Sequence, residues 1–113
     1  MKLPKREFDK PLDFRDGEYR SLRELRDHPE ELRILSFAVL GDPDLKDFVL
    51  KRYEGEPRDK VVNILGEGRF TIEQLETQIR KGTKIGQFAM ETELDWVNFL
   101  KEKLEAGDIE EVE

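Results

Sequence analysis

The 113-residue chain has no cysteine and one histidine, His28. Without cysteine there are no disulfides, thiolate nucleophiles or thiolate metal sites, and the chain suits a reducing compartment. With a single histidine the familiar hydrolytic triads lack their parts, and Ser21 and Ser36 have no nucleophile context. The sequence also lacks a secretory leader pattern and any apolar run near the roughly 18 residues of a membrane span. These absences predict a cytoplasmic, non-catalytic protein that uses neither metal nor cofactor. Asparagine and glutamine number only two and three beside abundant Lys, Arg and Glu, a composition expected of a heat-adapted protein.

Charge is plentiful instead. Charged residues make up 42% of the chain against about 25% in ordinary domains, yet 36% are hydrophobic, enough for one small core. The net charge of −7 is unevenly placed. Residues 1–60 carry 14 basic and 15 acidic groups, whereas residues 61–113 carry 6 and 12. Because phosphate contacts supply most nonspecific affinity for nucleic acid, the second half is a poor footprint for DNA or RNA.

Along the chain, residues 1–10 are polar and proline-interrupted and predict a flexible arm. Residues 11–107 predict a single helical domain, and residues 108–113 an acidic tail or one short strand. Asp16-Gly17 lies between alternating apolar and polar residues, a strong hairpin signal that sets Phe14 opposite Tyr19, Arg15 opposite Glu18 and Asp13 opposite Arg20. Ser21 with Glu24 predicts a capping box and a short helix to Asp27. Pro29 to Gly41 predicts the most buried early helix, with Leu32, Ile34, Leu35, Phe37 and Leu40 inside. Asp42-Pro43 and Gly55 bracket another helix, Pro57 and Gly66 a shorter one, and Thr71 with Gln74 makes a second capping box before a helix closed by Gly82. No internal repeat is evident.

The widest apolar signal is the last helix, Thr83 to Ala106. Stepping about 100° per residue, apolar side chains cover some two thirds of its circumference, more than the stripe of roughly 100° that a surface helix needs. Such a helix is the centre of a bundle or is shared between subunits. The fold expected is therefore mainly α: a bundle of five or six helices with an N-terminal β-hairpin and a long central C-terminal helix.

Residues able to carry chemistry are few. His28 and Glu31 have metal-helix spacing but no further histidine or cysteine to join them. Asp42, Asp44 and Asp47 lack the spacing and glycine of a calcium loop and suit a helix start. Gly66-Glu67-Gly68-Arg69 lacks the Lys-Ser/Thr of a phosphate loop and predicts an interhelical turn. Arg15, Arg20, Arg23, Arg26 and Arg33 lie among acids and predict an ion-paired surface. Glu93 and Lys101 interrupt the apolar arc of the last helix, where a charge must be paired or at an edge.

Two functional readings emerge. Lys60 to Glu113, read as helix, Gly-containing turn, helix Thr71–Lys81 and a third helix ending Leu-Glu-Ala-Gly-Asp-Ile, resembles a winged-helix DNA-binding domain. The resemblance implies base readers at Lys81, Lys84 and Gln87 and phosphate contacts from Arg69 and Arg80. It departs from that family in a third helix about two turns too long, an acidic exposed face and no room for a wing. The preferred expectation is a non-catalytic interaction, assembly or regulatory module, homodimeric through Met90, Leu94, Trp96, Val97, Phe99 and Leu100 of the last helix, since aromatic anchors dominate interfaces.

Overall fold

The computed structural model describes residues 1–15, 17–31 and 42–112. Its fold is mixed α/β, which corrects the expected mainly α bundle. The described residues are 57% helical and 22% strand, with five helices and six strands in three two-stranded sheets. The chain order is β1 (Lys2–Pro4), α1 (Lys5–Asp9), β2 (Pro11–Arg15), β3 (Glu18–Ser21), α2 (Leu22–Asp27), a 3-10 turn (Pro29–Glu31), α3 (Asp42–Tyr53), β4 (Val61–Ile64), β5 (Gly68–Thr71), α4 (Ile72–Lys81), α5 (Lys84–Glu105) and β6 (Glu110–Val112). The helix expected from Pro29 to Gly41 lies, beyond its first turn, outside the described residues.

Both ends of the described chain are built into the fold. Residues 1–10, expected as an arm, form β1 and α1, and Phe8 is fully buried under the guanidinium groups of Arg23 and Arg26. The acidic end forms β6, which runs parallel to β1 with Leu3 opposite Glu111. Glu111 then accepts two bonds from Arg23, at 2.8 and 2.6 Å, so β6 also ties to α2. Neither segment has the length or alternation that would mark a strand in the sequence.

The main source of the error is Val61–Ile64, expected in a helix opened by Pro57. It pairs antiparallel with β5, Val62 opposite Phe70 and Ile64 opposite Gly68. Two adjacent valines and an isoleucine favour a pleated surface, and Gly66 and Gly68, with φ of 85° and 113°, make the turn between the strands. Gly66 to Arg69 thus spans the hairpin turn and the start of β5, not an interhelical turn.

That second hairpin repeats a local plan already present at the start of the chain, residues 60–75 following the course of residues 10–25 at both ends of the unit. In both units a hairpin runs into a capped helix. The Leu22 amide donates to the Lys10 carbonyl and the Ile72 amide to the Lys60 carbonyl. Ser21 and Thr71 occupy the same N-cap position, accepting from the Glu24 and Gln74 amides at 3.2 and 3.1 Å. The hairpins share a base, Pro11 opposite Ser21 and Val61 opposite Thr71. The first has a two-residue turn and an irregularity between Pro11 and Asp13, the second a three-residue turn and none. The extra bulge residue of one hairpin offsets the longer turn of the other.

The long α5 supplies the middle of the core. It packs along α4 and against α3, burying Ala89, Met90, Val97 and Leu100. Gly86 permits the closest approach, since a Cβ there would stand 2.3 Å from the Gln78 carbonyl oxygen. Phe48 and Val49 of α3 join this core, as do Leu12, Leu22 and Leu25 of the first unit.

Candidate functional site

A buried ion-pair network runs through the centre of the fold. Arg52 of α3, 1% exposed, donates through Nε to Glu93 of α5 at 2.8 Å and through Nη1 to the Pro11 carbonyl at 2.5 Å. Its Nη2 lies 3.5 Å from Glu7 of α1. Glu7 also accepts from Lys10 at 2.7 Å. Lys10 bonds Glu56 in turn, and Lys60 reaches the other Glu56 oxygen at 3.1 Å. The corresponding lysines of the two units therefore share one carboxylate. Burial alone would raise the Glu56 pKa, but bonding to Lys10 and Lys60 outweighs it and holds this group below its ordinary value. Deeper still, Lys101 Nζ lies 3.4 Å from Asp13, both fully buried.

Beside this network is a pocket of about 120 Å³, bounded by the end of α3, the β4–β5 hairpin, α4 and one face of α5. Val62, Ile64, Ile72, Leu75 and Ala89 form its apolar wall, and Phe88, 44% exposed, lies along its rim. Tyr53, Glu56, Lys60, Asn63, Thr92 and Glu93 supply the polar part. Tyr53 is 5% exposed, and among the described residues its hydroxyl has no hydrogen-bond partner. Burial, then the carboxylates of Glu93 and Glu76, push the Tyr53 phenol well above its ordinary value of 10.0, so at neutral pH it is a donor. Glu93 gives one oxygen to Arg52, leaving the other for a second partner.

The expected interface residues separate into two groups. Val97 and Leu100 are fully buried and Met90 nearly so, all within one chain. Leu94 and Trp96 are half-buried, and Phe99 is 39% exposed. Trp96 and Phe99 stack, with ring centroids 5.6 Å apart and planes inclined by 20°. The residues expected to contact nucleic acid, Arg69, Arg80, Lys81, Lys84 and Gln87, are all exposed. Arg80 is engaged by Glu76 at 3.5 Å, and Glu91 shares a shallow depression with Lys84 and Gln87. The winged-helix order is not present: its first helix is strand β4, and the segment after α5 pairs with β1.

The remaining candidates are structural. His28 is exposed with Nδ1 3.3 Å from Glu30, and among the described residues no three His, Asp or Glu side chains converge on a possible metal position. Among the described residues no helix is long and apolar enough to cross a membrane. Arg20, Arg23 and Arg26 are ion-paired with Glu18, Asp9, Asp27 and Glu111. Sequence reasoning missed Tyr53, Arg52, Lys10 and Asp13. The misplaced charges Glu93 and Lys101 were the available signal, because each required a buried partner elsewhere. Comparison with known proteins returns no matching family model, curated protein or solved structure.

Proposed function

We propose that the chain is a non-catalytic assembly module that self-associates through the exposed stripe of α5. The observation that carries this reading is the stacked, incompletely buried Trp96–Phe99 pair. Ile85, Phe88, Thr92, Trp96, Phe99 and Lys103 follow one another at steps of three or four residues and so share a helix face. That spacing resembles the seam by which two helices pack. Exposed Glu91, Asp95, Glu102 and Glu105 flank it toward the C-terminus, and exposed Lys81 and Lys84 stand at the other end. Two copies related by a twofold axis, with α5 antiparallel, would set these unlike charges against each other. Its small-protein regulatory role in the cytoplasm belongs to the same reading.

Sedimentation velocity across a hundredfold concentration range tests it. The wild type should show a concentration-dependent dimer, and Phe99→Asp should be monomeric with unchanged helical circular dichroism. A wild type that stays monomeric at several hundred micromolar refutes self-association. Met90→Asp serves as the contrast, since Met90 is buried within the chain and its replacement should unfold the monomer.

A further inference from the structure

The pocket between α5 and the β4–β5 hairpin has two features of a built ligand site. Its surface is mostly apolar, and it is lined by Tyr53, a residue 5% exposed whose hydroxyl has no hydrogen-bond partner among the described residues. A phenol hydroxyl both donates and accepts, so an acceptor entering the pocket finds a donor that no described residue has taken. Size sets the first limit. A volume of about 120 Å³ compares with the cavity of about 150 Å³ that holds benzene, and falls well short of the roughly 300 Å³ at which drug-sized sites begin. The occupant is one six-membered ring or its equivalent.

Charge sets the second limit. Glu56 and Glu93 would repel a carboxylate. An ammonium gains little either, because Lys10, Lys60 and Arg52 already neutralise those two acids. What remains is a neutral group that accepts from the Tyr53 O–H and donates to the oxygen of Glu93 not taken by Arg52. A hydroxyl does both. We propose that this pocket binds a phenolic group, its ring against Val62, Ile64 and Ala89 and its hydroxyl between Tyr53 and Glu93. The source is either a free small phenol or a tyrosine side chain, which share this chemistry. The inference is independent of self-association through Trp96 and Phe99, so either can fail alone.

The test is a titration of the full chain with p-cresol and, separately, toluene, followed by amide chemical shifts. p-Cresol should give saturable shifts centred on Asn63, Ala89 and Thr92 and bind about fivefold or more tightly than toluene, the discrimination expected of one hydrogen bond. Tyr53→Phe keeps the ring and removes an unbonded hydroxyl, so it should fold normally and bring the two affinities together. No localised shift at millimolar p-cresol overturns the proposal, as does equal affinity for toluene in the wild type, or a preference unchanged in Tyr53→Phe. N-acetyltyrosinamide then separates the sources. Binding at least as tight as p-cresol supports a tyrosine delivered by a polypeptide, and exclusion supports a free phenol.

Discussion

Removing the Arg52 guanidinium while leaving its partners in place should be among the most damaging single changes to this fold. Arg52→Met keeps much of the aliphatic stem but strips three contacts from a side chain 1% exposed: Glu93 at 2.8 Å, the Pro11 carbonyl at 2.5 Å and Glu7 at 3.5 Å. Breaking a buried pair on one side costs about 3–5 kcal/mol. Here the low end applies, because Glu93 is 19% exposed and can regain water, and Glu7 keeps Lys10 at 2.7 Å. About 3 kcal/mol is a large share of the roughly 6–17 kcal/mol that a domain of this size possesses, so the variant should fold but melt some 10 °C or more lower. The second arm is Glu93→Met, and the third the double variant, in which no charge is left facing a vacancy. Urea unfolding should show the double variant recovering about 1–3 kcal/mol relative to the sum of the singles. A coupling below about 0.5 kcal/mol would refute the view that Arg52 and Glu93 act as one buried unit.

Further outcomes follow from particular residues. Absorbance titration at 295 nm should find neither tyrosine ionising at its ordinary value near 10: burial and Asp47 raise Tyr19, and burial with Glu93 raises Tyr53 further. Since the folded state then holds protons that the unfolded state releases, stability should fall as pH rises above about 10, and a normal Tyr53 titration in the folded chain would contradict the structure. For Glu56 the sign is opposite, its folded pKa lying below the unfolded value. The melting-temperature advantage of wild type over Glu56→Gln should be present at pH 7 and close as pH falls through the folded pKa, below the ordinary glutamate value; an advantage that grows in acid would count against the Lys10–Glu56–Lys60 bridge. Gly86→Ala places a methyl against backbone atoms of Gln78 and Ile79 at 2.3–2.7 Å, and overpacking should cost roughly 2 kcal/mol or more in urea unfolding. Gly107→Ala, with φ of +72° and open space around it, should cost only about 1–2 kcal/mol.

Signals confined to a few adjacent residues were legible in the sequence. Asp16-Gly17 fixed the first hairpin register, Phe14 opposite Tyr19 and Asp13 opposite Arg20. Ser21 and Thr71 marked two helix starts, and Gly82 with Thr83 the junction of α4 and α5. What failed depended on partners distant in the chain. β1 and β6 are three residues each and exist through each other, more than a hundred positions apart. Pro57 looked like a helix start, but the chain turns after it and the β-branched run that follows finds Phe70 across the hairpin. The likeness of the two hairpin–helix units was not legible either, because only Lys10/Lys60 and Leu25/Leu75 are identical between them. At the pocket, the role of Tyr53 was not legible, since nothing near it in sequence shows that β4, α4 and α5 close around it.

The size of the β4 side chains offers a test of what the pocket is for. Val62 and Ile64 line it, and neither fills it. Ile64→Phe places a larger side chain at a site 5% exposed. Filling all of about 120 Å³ would be worth at most about 3 kcal/mol at the usual cavity coefficient. Because the pocket is partly open and an added ring brings some strain, a gain near 0.5–1 kcal/mol is expected in urea unfolding. The same substitution should abolish p-cresol binding. That pairing of higher stability with lost binding is the pattern of a space maintained for a ligand against packing. A variant destabilised by more than about 1 kcal/mol would show that the small residues serve the local packing instead.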